Sequence, residues 1–110
     1  MVHVSVTGLR LKAAHHMPRF YWHAIRSFRQ AQSADGVLLA ETRTINGIHH
    51  TLTVWQDRDY MRAYLAAGAH KEAMKIFRRI ATGSVWGYES DGIPDWESAL
   101  DQWRRHGRTV

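Results

Sequence analysis

The stretch Gly36 to Trp55 constrains the fold most, because two strand-like runs flank the pair Asn46-Gly47. This pair is preferred for a two-residue type I′ hairpin, where both positions need positive φ. With that turn, Ile45 faces Ile48, Arg43 faces His50, Glu41 faces Leu52 and Leu39 faces Val54. Side chains alternate across a strand. One face of the hairpin then holds Val37, Leu39, Leu52 and Val54, and the other holds Leu38, Ala40, Thr51, Thr53 and Trp55. Neither face is fully polar. A single layer of helices covers one of them, so the second needs another partner. A homodimer that stacks sheet on sheet is the expected solution.

The rest of the chain supplies strands and helices to either side. Val2 to Leu11 alternates as a first strand, with Val2, Val4 and Val6 against His3, Ser5 and Thr7. Pro18 suits the first turn of a helix that runs to about Ser33, with Tyr21, Ala24, Ile25, Phe28 and Ala31 as its buried stripe. Trp22 lies off that stripe and is expected in the core or an interface, with a place under the tail helix or at a pocket border as alternatives. Asp57 is an N-cap for a second helical region carrying Met61, Tyr64 and Leu65, and Gly68 breaks it. A further helix, about Ala69 to Arg79, turns Ala69, Ala73, Ile76, Phe77 and Ile80 to one side. Thr82-Gly83 reads as a turn and Ser84 to Ser90 as a last strand, with Trp86 and Tyr88 on one face. Pro94 opens a tail helix in which Trp96, Ala99, Leu100 and Trp103 recur at helical spacing, and Gly107 stops it. The order is β-α-β-β-α-β plus a helix. That predicts one α+β, ferredoxin-like domain over residues 1–110, an antiparallel sheet with helices on one face and an extra C-terminal helix.

Composition removes whole classes of chemistry. With no cysteine, disulfides, thiolate metal sites and thiol catalysis are excluded. No Gly-x-Ser-x-Gly elbow, phosphate loop or dinucleotide fingerprint occurs. His49 and His50 are adjacent on a strand and point to opposite faces, so they cannot share a metal, and no metal site is expected. The net charge of +5 invites a nucleic-acid reading, and this fold order also builds RNA-recognition domains. Those domains stack bases on aromatic rings of the third strand, whereas Ile48 to Trp55 carries histidines and threonines there. No nucleic-acid partner is expected. No apolar run is long enough to span a membrane, and Met1 to Lys12 lacks the continuous apolar stretch of a signal peptide, so a cytoplasmic protein is expected.

Three segments carry a resemblance. They are Thr51-Leu52-Thr53-Val54-Trp55-Gln56-Asp57, then Met61-Arg62-Ala63-Tyr64, then Ala67-Gly68-Ala69-His70-Lys71-Glu72-Ala73-Met74. Together they resemble the antibiotic-biosynthesis-monooxygenase-like families of the dimeric α/β-barrel superfamily. The similarity is greatest to uncharacterised bacterial members grouped with spheroidene monooxygenase-like proteins. The resemblance implies a homodimer with a mostly apolar pocket between sheet and helices in each subunit. It implies a monooxygenase-like oxidoreductase acting on a small hydrophobic or aromatic molecule, with no cofactor expected. It also leaves open a heme-binding protein or heme-dependent oxygenase, and a non-catalytic ligand-binding or cyclase-like dimer. The tryptophan and histidine that the heme-degrading branch uses fall on Tyr64 and Met74, which do not match; heme would be held by another ligand, His70 being nearest.

His70 is the candidate catalytic residue. It lies four residues from Met74 and seven from Phe77, on the edge of an apolar stripe. Two readings stand side by side: a base or proton donor lining the pocket, or a half-buried histidine near a helix N-terminus that donates one hydrogen bond. Tyr64, Met74, Phe77 and Trp86 are the expected pocket walls. Ser5, Thr51 and His49 are the expected polar contacts from the sheet, although spacing does not tell whether His49 or His50 faces the pocket. His3, Ser5 and Thr7 share one side of the first strand, either facing a substrate or facing solvent.

Overall fold

The computed structural model describes residues 1–110. Strand β1 spans Val2–Leu11. A 3-10 turn, Ala14–His16, leads into helix α1, Met17–Gln32. Strands β2, Val37–Ile45, and β3, Ile48–Trp55, form the hairpin. Helices α2, Arg58–Leu65, and α3, Gly68–Ile80, follow. Strand β4 is Ala81–Ser90, helix α4 is Trp96–His106 and strand β5 is the short pair Arg108–Thr109. The strands make one antiparallel sheet in the order β2-β3-β1-β4-β5. No helix is long and apolar enough to cross a membrane.

The hairpin turn has the expected geometry. Asn46 and Gly47 have φ of 52° and 77°, and the four facing pairs from Leu39–Val54 to Ile45–Ile48 are all present. One expected position fails. A β-bulge between Val37 and Leu39 pairs Val37 with Trp55, so Val37 moves to the Trp55 face. Other boundaries follow local chemistry. The Asp57 carboxylate accepts from the amides of Asp59 and Tyr60, and Gly68, at φ 47°, separates α2 from α3. Thr82 and Gly83 are not a turn but strand residues facing Arg10 and Leu9. Gly83 is required by close approach, since a Cβ there would overlap the Gly8 carbonyl oxygen. Pro94 precedes the tail helix, and Asp95 caps it by accepting from the Ser98 amide at 2.8 Å.

The sheet separates two layers of helix. Helices α1, α2 and α3 lie over the face that carries His3, Ser5, Thr7, Leu9, Thr51, Thr53 and Trp55. The tail helix α4 lies on the opposite face. There Trp96, Ala99 and Leu100 pack with Val4, Val6, Leu52 and Val54, all four of which are fully buried. Each large side chain buried there contributes about 1.5–3 kcal/mol relative to exposure. The second apolar face therefore finds a partner within the chain. Trp103 completes this layer. Its indole donates to the Ser84 carbonyl at 2.9 Å, and its ring fills the space that a side chain at Gly8 would need.

Helix α1 is rotated from the expected stripe. Phe20, Ser27 and Ala31 are buried, whereas Tyr21 and Ile25 are exposed. Trp22 is neither core nor under α4; the residue is 63% exposed and its ring lies beside Arg26. Helix α3 keeps its expected stripe, with Ala73, Phe77 and Ile80 buried against Leu9 and Phe20.

Candidate active site

Between the sheet and helices α1 to α3 lies a cavity of about 840 Å³. This is the size range of small-molecule sites. Its floor is a row of short polar side chains. Ser5 faces Thr53, and Thr7 faces Thr51, across the β1–β3 pair. Its roof is apolar and aromatic, with Phe20, Ala24 and Phe28 from α1 and Met74 and Phe77 from α3. An apolar roof over hydroxyl groups suits a flat, largely hydrophobic molecule with one or two polar substituents.

His70 is placed by a chain of aromatic and amide contacts. Trp55 is fully buried and donates to the Thr53 hydroxyl at 2.9 Å. Its ring lies 5.1 Å from that of Tyr64, which in turn lies 4.6 Å from His70. The Tyr64 hydroxyl donates to the Ser27 carbonyl at 3.1 Å and meets the Ser27 hydroxyl at 2.9 Å. Burial pushes the Tyr64 phenol above its ordinary pKa, so it stays neutral and braces α2 on α1. The break between α2 and α3 leaves backbone groups without helical partners, and Gln30 supplies them. Its amide nitrogen donates to the carbonyls of Tyr64 and Ala67, and its oxygen accepts from the His70 amide at 2.9 Å. Gln30 therefore sets the position of His70, a role that its place on the flank of α1 did not announce.

The His70 ring is half-buried, and its Nδ1 is buried without a hydrogen-bond partner. Burial holds its pKa below the usual value, while the nearby Leu65 carbonyl pulls the other way. The ring is neutral near neutral pH. A metal-bound imidazole ordinarily donates its second N–H to an acceptor. The Leu65 carbonyl is the acceptor nearest the His70 ring for such a bond. No group of three His, Asp or Glu side chains converges as a metal site.

The structure also resolves the histidine pair. His49 lies on the cavity side, its ring 4.7 Å from Phe20 and its Nδ1 2.9 Å from the Thr44 hydroxyl. His50 lies under α4, donating to the Thr7 carbonyl at 3.1 Å with its ring edge-on to Trp103 at 4.8 Å. Burial lowers the pKa of both. Of the expected site residues, His70, Tyr64, Met74, Phe77, His49, Thr51 and Ser5 all line the cavity. Trp86 also borders the cavity. The depression runs on to it, but its indole donates to Gln102 and its ring packs on His106, both on the α4 side. It pairs with Val6, whose side is opposite to that of Ser5.

One lining group was not foreseen as a unit. His3 is 4% exposed, and its Nδ1 lies 2.7 Å from a Glu89 carboxylate oxygen. Its Nε2 is buried with no partner. The pair arises because His3 and Glu89 face each other across the β1–β4 ladder. The register of two strands so far apart in sequence cannot be read from either alone.

No protein-family model matches the chain, and no curated protein matches it in sequence. Solved structures do match. SnoaB, a cofactor-independent oxygenase from Streptomyces nogalater, is 15% identical with a TM-score of 0.69, covering 86% of this chain and 98% of its own. A Deinococcus radiodurans protein assigned provisionally as an antibiotic biosynthesis monooxygenase is 20% identical with a TM-score of 0.68, covering 86% and 97%. Rv0793 from Mycobacterium tuberculosis is 8% identical with a TM-score of 0.73, covering 84% and 99%. At these identities the likeness is one of fold. The chain has the α+β, ferredoxin-like fold of the antibiotic-biosynthesis-monooxygenase-like proteins, as the segments around Trp55 and His70 implied.

Proposed function

We propose that the protein oxidises a small hydroxyaromatic or similarly acidic hydrophobic molecule with molecular oxygen, without a bound cofactor. The observation that carries this reading is the cavity itself. A hydroxyl-lined floor, an aromatic roof and buried imidazoles with unpaired nitrogens meet in one cavity. Such a site binds a flat apolar ring, orients its polar substituents and accepts a proton from it. Loss of that proton leaves an electron-rich anion that gives one electron to oxygen. Carbon–oxygen bond formation and proton return give a hydroperoxide. Elimination of water then leaves a carbonyl, so that an activated CH2 and O2 become C=O and H2O. The resemblance of the sequence to monooxygenase-like families, and a cofactor-independent oxygenase with the same fold, support this class of reaction. His70, neutral and beside the cavity, contributes to binding, with Tyr64, Met74 and Phe77 as walls and Ser5, Thr51 and His49 as polar contacts.

The working unit in this reading is a homodimer. Helix α4 covers the sheet face first expected to form the contact, so the interface lies elsewhere, and the wet Trp22 and Ile25 offer apolar surface for it. Sedimentation as a monomer at micromolar concentration would contradict the dimer. Oxygen uptake with a panel of phenols, naphthols and anthrones tests the reaction. Consumption of one O2 per carbonyl formed is expected. A Soret band in the purified protein would overturn the cofactor-free mechanism. Tight binding without any oxygen uptake would reduce the protein to a ligand carrier.

A further inference from the structure

We infer that the proton acceptor of this cavity is His3, oriented by Glu89, rather than His70. The inference rests on the oxidation reading for its substrate class and deepens it by assigning the base. A carboxylate only accepts hydrogen bonds, so the 2.7 Å contact places a proton on His3 Nδ1. Nε2 is left with its lone pair. That atom is shielded from water and meets no protein donor, although nearly all buried polar atoms find one. Its neighbour on β4 carries no side chain to bond it. Gly87 lies beside it, and a Cβ there would sit 3.2 Å from Nε2 and 3.4 Å from Cε1. Ser5, which faces Gly87 across the strands, supplies a hydroxyl to the same cavity floor.

The two histidines differ in what they offer once protonated. His3 becomes an imidazolium against a carboxylate, the arrangement that stabilises the charge formed during base catalysis. No carboxylate bonds the His70 ring, and its burial disfavours the charged form. The step is heterolytic. An O–H or acidic C–H bond of the substrate breaks, its electron pair stays on the substrate, and the proton goes to His3 Nε2. Nothing is oxidised or reduced until oxygen reacts. Glu89 is a positioning residue and acts through His3.

The test separates proton transfer from oxidation by working without oxygen. The probe is 4-nitrophenol held just below its own pKa, with occupancy from equilibrium dialysis and ionisation from the phenolate absorbance. Wild type is expected to ionise the bound probe. At equal occupancy His3→Gln should lower the bound phenolate at least tenfold. Glu89→Gln should lower it as well, and Glu89→Asp should restore part of it. Gly87→Ala, which crowds Nε2, should act in the same direction. Because His3 is buried, circular dichroism must show that His3→Gln folds. The Glu89 variants carry the test if it does not. Imidazole 15N spectra of the free protein add a readout that folding alone does not move. Wild type should show Nδ1 protonated and Nε2 bare, with the Nδ1 proton shifted by Glu89→Gln. Unchanged ionisation in His3→Gln, or an Nε2-protonated tautomer in wild type, overturns the assignment. Ionisation by wild type with no oxygen uptake on any substrate supports the base and removes the oxidation reading. Oxygen uptake that survives in His3→Gln does the reverse. A wild type that does not bind the probe contradicts both.

Discussion

The two faces of the sheet are built from alternate residues of the same strands, yet they are put to opposite uses. Under α4, Val4, Val6, Leu52 and Val54 are fully buried and pack on Trp96, Ala99 and Leu100. Under α1 to α3, the intervening Ser5, Thr7, Thr51 and Thr53 floor a cavity. One face spends its apolar surface on close packing, where each lost methylene is felt. The other leaves space unfilled and buries imidazole nitrogens without partners, which costs stability and gains a binding site. The difference teaches that stability and ligand binding are divided by the period-two pleat, so adjacent residues should respond differently to substitution.

The largest effect should come from the packed face. Leu52→Ala removes a fully buried side chain and should destabilise by about 2–5 kcal/mol in a urea titration. Its neighbour variant Thr51→Val, on the cavity side, should stay within about 1 kcal/mol while changing ligand affinity. Equal stability losses in the two would break the division. Next is Gly8→Ala. The new methyl would lie 2.3 Å from the Trp103 ring, so α4 must shift, at a cost of about 1–3 kcal/mol and a changed tryptophan emission. On the cavity side, His70→Ala should keep the fold by circular dichroism but weaken ligand binding about tenfold, or roughly 1.4 kcal/mol. Gly47→Val places a β-branched residue at φ 77° and should cost about 1 kcal/mol, wherever the two faces stand.

The smallest effect is one of pH. The folded chain holds His49, His50 and His70 below the 6.5 of free histidine, mainly by burial. As pH falls through 6.5 the unfolded chain takes up protons first, so their stabilising contribution, fully present above that pH, declines on acidification. The urea midpoint should therefore drop between about pH 7 and 5. His50→Gln and His70→Gln should each flatten the drop, one from each face. A midpoint that rises on acidification would contradict the buried, neutral state of these rings.

Much of this division was legible in the sequence, and the failures have physical causes. Asn46-Gly47 set the register of the hairpin, because only a turn with two positive φ values fits it. The alternation of β1 separated Val4 and Val6 from Ser5 and Thr7 before any partner was known. The bulge at Leu38 was invisible, since an extra residue leaves no mark in an apolar run. The stripe of α1 was misjudged because hydrophobicity alone picked Tyr21 and Ile25. That helix roofs a cavity, so Ser27 is buried in their stead by its bond to Tyr64. The partner of the second face is hidden in the sequence because the path of residues 91–95 does not reveal that α4 returns. The site was readable where one helix carries it, as with His70, Met74 and Phe77. It was not where strand pairing makes it, as with His3 and Glu89.

Binding of ligand to one face of the sheet only would be seen in backbone amide and methyl chemical shifts during titration with a naphthol. Large perturbations are expected at Ser5, Thr51, His70 and Met74, with Val6, Leu52 and Leu100 unmoved. Perturbations centred on Leu100 and Trp103, with the threonine floor silent, would contradict it.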